Sequence, residues 1–186
     1  MRIVSFALVA PLVLLAACGG PETSQANNSQ ANISNDSRPA DNAVASNMEA
    51  RLSLGDAAKI MHERHEGMET IGKTNKAISR EFQGGSPNET VVRAGAAQIA
   101  DLSRKASSWF PAGTGPEIGK TGAKPDIWLP QKQADFASKL HNFQVAAKAF
   151  NVAAMSGDMN AAKAKFADLG GACKACHDKY RMDMHH

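Results

Sequence analysis

Aromatic residues are scarce in this chain of 186 residues, where they make up 5% of the sequence and include a single Tyr. The hydrophobic share of 43% therefore comes mostly from Ala, Leu, Val, Ile and Met, which suit packed helices better than a sheet. No segment shows a sustained alternation of apolar and polar residues, so half-buried strands are not expected. The length fits one folded domain with extensions.

Clusters of positive charge are missing as well. No run of Lys and Arg exceeds two residues, and the formal net charge is only +3. A protein that binds nucleic acid needs a basic patch or stripe to neutralise phosphates. We therefore expect no nucleic-acid partner.

The first 17 residues are almost free of polar side chains. One Arg is followed by a mainly apolar stretch from Ile3 to Ala17, which is shorter than the roughly 20 residues that span a bilayer. This pattern is typical of an export signal peptide, here residues 1–17. The sequence LAAC, which ends at Cys18, resembles a bacterial lipobox and implies acylation of Cys18. The alternative is an ordinary signal peptide that leaves Cys18 as a free thiol.

Residues 19 to about 48 lack aromatic side chains and consist mainly of Asn, Ser, Ala, Gln and Asp. Such a composition cannot bury enough apolar surface to offset the entropy lost on ordering. We expect residues 18–48 to be a lipidated cysteine and a flexible linker that tether a folded domain, residues 49–186, to a membrane. The domain would face the periplasm. Gly19 does not resemble an inner-membrane retention signal, which favours the outer membrane.

Four segments of this domain carry the apolar spacing of amphipathic helices. A Pro- and Gly-rich loop separates the second from the third, and Ser86 and Pro87 are expected to cap the second. Four helices with mostly short connections predict an all-α fold, an antiparallel four-helix bundle. The expected helices run from near Leu52 to Phe82 and over about Glu89–Trp109, Leu129–Met155 and Met159–Tyr180.

The last of these helices contains Cys173, Cys176 and His177. Their i, i+3 and i+4 spacing places the three side chains on one helical face. C-x-x-C-H is the signature of c-type haem attachment, in which two thioethers hold the haem and the histidine binds its iron. The motif therefore predicts one covalent haem c on the C-terminal helix.

Three other readings of the two cysteines are open at this stage. A thioredoxin-like C-x-x-C opens a helix after a strand, whereas this motif ends a helix. A zinc site needs about four ligands, and no second cysteine pair exists. A disulfide between Cys173 and Cys176 would close so short a loop that it would stabilise the bundle little.

From Asp56 to Arg181 the sequence resembles the class II cytochromes c, which include the cytochromes c′. The resemblance depends on CKACHDKYR at residues 173–181, KPDIW at residues 124–128 and RHEGMETIG at residues 64–72. It implies the same four-helix bundle, and it raises the possibility of a homodimer through the first two helices. It also suggests that Arg181 tunes the electrostatics near the haem.

The resemblance also implies what lies on the second face of the haem. In this family the first helix covers that face, with an Arg four residues before the residue that faces the iron, and Arg64 and Met68 match this spacing. Met68 is then a ligand of the iron, and Arg64 reaches a haem propionate. Met68 can also be read as a core methionine, because Met61 continues the same stripe. His65 is expected to lie in solvent or at the propionate edge.

The expected function is a periplasm-facing carrier of single electrons that exchanges them with periplasmic redox proteins. The alternative is a five-coordinate cytochrome c′ that binds nitric oxide or carbon monoxide, for gas binding or nitric oxide protection, with Met68 only packed over the iron. Enzymatic activity is not expected. Peroxidase-like catalysis needs a distal acid–base group, and His65 is the only candidate.

Overall fold

The computed structural model describes residues 52–183, which form four α-helices and two short 3₁₀ turns. Residues 1–51, which include the expected signal peptide, Cys18 and the linker, lie outside the described part, as do residues 184–186. The helices are α1 (Leu54–Gln83), α2 (Glu89–Lys105), α3 (Pro130–Ser156) and α4 (Met159–Tyr180), and the 3₁₀ turns are Ala106–Ser108 and Pro125–Trp128. Within residues 52–183 the one β-type pairing is an isolated bridge between Ala123 and Arg181. The expected all-α, four-helix fold is confirmed.

Side-chain caps fix where the helices begin. Ser53 accepts a hydrogen bond from the backbone N–H of Asp56 at the start of α1, and Asp158 caps α4 in the same way. The expected cap of α2 by Ser86 and Pro87 is wrong. Asn88 caps α2, because its side-chain oxygen accepts from the N–H groups of the second and third helical residues.

The second helix is shorter than expected. It ends at Lys105, and a 3₁₀ turn at Ala106–Ser108 tightens the chain before Trp109. The apolar spacing continues through this turn, which explains why the sequence pattern did not separate the two.

The helices pack in chain order, with α2 against α1, α3 against α2 and α4 against α3. In contrast, the backbones of α1 and α4 make little close contact with each other. Two groups of buried side chains fill the bundle. The larger cluster is Ile71, Ile78, Phe82, Val92, Ala96, Ile99, Ala106, Trp109, Phe143, Ala147, Phe150, Ala154, Ala162 and Leu169, and the smaller cluster is Ala123, Ile127, Phe136 and Tyr180.

No helix within residues 52–183 combines the length and the apolar character that crossing a bilayer requires.

Candidate haem site

Cys173, Cys176 and His177 lie in the last two turns of α4. Both cysteines are partly buried free thiols. Cys173 packs against the larger cluster and Cys176 against the smaller one, so the motif borders both parts of the core. Burial raises the pKa of both thiols, which keeps them protonated at neutral pH. Two reduced thiols on one helical face are what thioether attachment of a haem requires.

The other readings of the motif find no support in this geometry. No strand precedes α4 within the described chain, and neither Cys173 nor Cys176 is in a disulfide. Among residues 52–183 the one group of three metal-binding side chains with ligand atoms within 4.8 Å of one another is His65, Glu66 and Glu69. That group contains neither cysteine, so within residues 52–183 no further metal-binding side chain joins the two cysteines.

His177 is in a form that can bind a metal. The His177 side chain is exposed on α4, and partial desolvation of its ring together with the positive charge of Arg181 lowers its pKa, whereas Asp178 raises it. The net lowering favours the neutral imidazole at neutral pH, and neutral imidazole is the metal-binding form.

Met68 lies on α1, where it is partly buried and packs against the larger cluster, as Cys173 does from α4. Met61, two turns earlier on α1, has a different environment. Its terminal methyl carbon lies 3.8 Å from the position that a Cβ atom would occupy on Gly119, so it faces the loop between α2 and α3. The two methionines of the same predicted stripe therefore have different neighbours.

A groove of about 530 Å³ lies between α1 and α4, and its lining residues fall between Gly72 and Gln83 on α1 and between Phe166 and Gly170 on α4. Gly72, one turn after Met68, and Gly170, one turn before Cys173, both line it. A Cβ atom built on either glycine would meet no atom within 4 Å. The groove thus ends about one turn short of Met68 and Cys173, and the fit to a haem rests on the donor set, two free thiols and a histidine on one face of α4. The residues present therefore fit a haem held at Cys173, Cys176 and His177.

Arg64 is buried, with 4% of its surface exposed. Its Nη1 donates to the backbone oxygen of Trp109 at 2.9 Å and to Thr114 Oγ1 at 3.2 Å. Its Nη2 donates to the backbone oxygen of Thr114 at 2.8 Å and to Thr121 Oγ1 at 3.1 Å. Burial lowers the pKa of Arg64, and the charge of Glu117 opposes that effect.

These bonds use all four N–H groups of the two terminal nitrogens of Arg64, which leaves its Nε–H as the remaining donor. The expected contact with a propionate would have to use that group. The Arg64 guanidinium also lies over two aromatic rings, 5.2 Å from the centroid of Phe110 and 5.6 Å from that of Trp128. Arg64 is therefore tied to the loop after α2.

Sequence reasoning missed the loop residues that hold Arg64. Trp109 packs so closely on α1 that a Cβ atom on Gly67 would lie 2.2 Å from its ring. Thr114 is fully buried, and its hydroxyl donates to the backbone oxygen of Pro111. The KPDIW segment resembles a family pattern, but nothing in its sequence indicates that Trp128 stacks on Arg64.

The other histidines of the described chain are exposed as His177 is. His65 is exposed beside Glu66 and Glu69, and His141 is exposed on α3.

Comparison with known proteins places the chain in a family. The family model described as Cytochrome C′ matches residues 59–181. A cytochrome c′ from Alcaligenes xylosoxydans xylosoxydans is 41% identical over 73 residues, which are 39% of this chain and 54% of that protein. The chain thus matches little more than half of this relative's length.

Solved structures match more of the fold. Cytochrome c′ from Thermochromatium tepidum is 32% identical with a TM-score of 0.62, and the match covers 72% of this chain and all of that one. A cytochrome c′ described as having an unusual ligand-controlled dimer dissociation is 30% identical with a TM-score of 0.62, and the match again covers 72% of this chain and all of that one.

Proposed function

The chain belongs to the cytochrome c′ family, whose members carry one covalently attached haem c, and we propose that it transfers single electrons with His177 and Met68 as the two iron ligands. The observation that carries this proposal is the placement of Met68. It packs from α1 against the same core cluster that Cys173 contacts from α4.

When bound, the haem supplies one-electron redox chemistry at its iron. Cys173 and Cys176 hold the macrocycle at two points on α4, and His177 offers a neutral nitrogen beside the second point. Met68 offers a thioether sulfur from α1. A soft thioether ligand favours the reduced metal and raises the reduction potential, as suits an electron carrier.

A second function, binding of nitric oxide or carbon monoxide, is favoured by one feature of the same residue. Met68 packs against the larger cluster, and this packing can hold its side chain in place without a bond to iron. In that case Met68 would act only as a steric cover, and a bound haem could take up a small gas.

Absorption spectra of the oxidised and reduced protein, with and without carbon monoxide, separate the two functions. We expect a low-spin spectrum for the reduced protein and slow reaction with carbon monoxide. Met68→Leu should convert the spectrum to high-spin and speed carbon monoxide binding. Met61→Leu is the matched control, since Met61 faces the loop, and it should leave the spectrum unchanged. A high-spin spectrum in the wild type would refute ligation by Met68 and favour gas binding.

Localisation and assembly belong to the same proposal. Signal-peptide cleavage and acylation of Cys18 would anchor the domain at the periplasmic face of the outer membrane, where it meets periplasmic redox proteins. Metabolic labelling with a fatty acid should label the wild type and not Cys18→Ser. A homodimer is consistent with the dimer described for one solved relative, and sedimentation with and without carbon monoxide tests it here. We assign no enzymatic activity.

A further inference from the structure

The two helices that carry the proposed ligands contact each other directly away from the ligands, where Phe82 of α1 packs on Phe166 of α4 with ring centres 5.5 Å apart. Met68 lies on α1 and His177 on α4, and these helices make little close backbone contact. A bond from both residues to one iron atom requires a fixed distance between them. Because the Phe82–Phe166 contact lies 14 residues after Met68 and 11 residues before His177, side chains nearer the ligands are needed to fix that distance.

A continuous chain of side chains connects the two helices at that level. The Arg64 guanidinium lies 5.2 Å from the centre of the Phe110 ring. Phe110 packs edge-on against Phe136 of α3, with ring centres 4.9 Å apart, and Phe136 packs edge-on against Tyr180 of α4, with ring centres 5.2 Å apart. Arg64 precedes Met68 by one helical turn, and Tyr180 follows His177 by three residues.

Both ends of this chain are fixed by polar bonds. Arg64 donates four hydrogen bonds to Trp109, Thr114 and Thr121. Tyr180 donates a hydrogen bond of 2.6 Å to the carboxylate of Asp135. The two links in the middle are rigid rings with few rotamers, and edge-on contacts at these distances are favourable for aromatic pairs. Such a chain resists both compression and separation.

We propose that Phe110, Phe136 and Tyr180, here called the aromatic spacer, are positioning residues that set the distance of Met68 from the haem iron. This inference rests on the proposed function for its ligands. The aromatic spacer includes neither Met68 nor His177. It would control how tightly Met68 covers the iron through its contact with Arg64 at one end and its place on α4 at the other.

The test compares Phe136→Leu with Phe150→Leu in the mature haem protein. Both residues lie on α3 and are buried, and Phe150 contacts Phe166, which packs on Phe82 of α1 in the part of the bundle away from the ligands. The readout is the rate at which carbon monoxide binds the reduced protein. We expect Phe136→Leu to raise this rate about tenfold or more, because a displacement of about 1 Å at a reacting group can change a rate by as much as ~100-fold. Phe150→Leu should lower the melting temperature by a similar amount and leave the rate within about twofold of wild type.

Equal rates in Phe136→Leu and wild type would overturn the proposal, and so would an equal increase in both variants, which would indicate general loosening of the core. If Phe136→Leu does not fold, Phe110→Leu takes its place, since Phe110 is only partly buried on the loop. The proposal remains testable if the wild type is high-spin, because an unbonded Met68 still covers the same face. A high-spin spectrum of the wild type therefore refutes ligation of the iron by Met68. A carbon monoxide binding rate that is unchanged in Phe136→Leu refutes the role of the aromatic spacer.

Discussion

The hydroxyl group of Tyr180 donates a hydrogen bond of 2.6 Å to Oδ2 of Asp135 and so links α4 to α3 three residues after His177. The ammonium group of Lys179 donates to both oxygens of the same carboxylate, at 3.2 and 3.3 Å. The carboxylate of Asp135 thus holds the C-terminal end of the proposed haem-binding helix.

Titration of Tyr180 tests this link. Burial and the bond to Asp135 raise the pKa of Tyr180 from its ordinary 10.0 to about 12. Tyr180 is the single tyrosine of the chain, so ultraviolet absorbance of tyrosinate reports on it alone. We expect a midpoint near the raised value, and a lower midpoint in Asp135→Asn. A midpoint at the ordinary value in the wild type would contradict the account.

The sign of the pH effect on stability follows from the same shift. Because folding raises the pKa of Tyr180, the corresponding stabilisation is fully present below about pH 10 and is lost as the pH rises towards about 12. Denaturant unfolding of the wild type across this range should show a falling free energy of unfolding. In Tyr180→Phe the part of this fall in the free energy of unfolding that comes from Tyr180 should be absent.

Replacement of Arg64 tests its role as a clamp on the loop after α2. Arg64→Met leaves buried backbone oxygens of Trp109 and Thr114 without donors, so we expect the free energy of unfolding to fall by about 3 kcal/mol. Arg104→Met is the control. Arg104 pairs with Asp101 on the surface, and its loss should change stability by no more than about 0.5 kcal/mol. Equal effects in chemical denaturation would contradict the clamp.

Substitution by alanine is expected to have opposite effects on stability at Gly67 and at Gly171. Gly67→Ala would place a Cβ atom 2.2 Å from the Trp109 ring, and we expect it to cost about 1–3 kcal/mol through overpacking. Gly171 is exposed on α4, and a Cβ atom there meets nothing within 4 Å. Gly171→Ala should therefore stabilise the helix by about 0.5–1 kcal/mol. Thermal unfolding of both variants checks the pair, and a stable Gly67→Ala protein would be the contrary result.

Local signals made the helices and the attachment motif predictable. Apolar spacing locates all four helices, because each buries one face against its neighbours. The spacing of Cys173, Cys176 and His177 places them on one face of α4 whatever surrounds that helix. The cap of α2 was misplaced by two residues because Ser, Pro and Asn occur together before it, and only the fold shows that Asn88 bonds to the first turn.

Long-range contacts were not predictable in the same way. Arg64 was expected to reach a propionate, and nothing within α1 indicates that its terminal nitrogens bind residues 45 to 57 positions later. The Pro and Gly content of the segment after α2 is enough to predict a loop. Its folding back onto α1 depends on Gly67 leaving room for Trp109, which is a property of two segments together. The aromatic spacer likewise combines one residue from each of three segments.

X-ray absorption at the iron edge of the reduced protein tests the central claim most directly, because it detects the atoms bound to the haem iron. The account predicts one sulfur atom in the first coordination shell, supplied by Met68, together with the nitrogen atoms of the macrocycle and of His177. A first shell that contains nitrogen alone, with no sulfur scatterer, would contradict it.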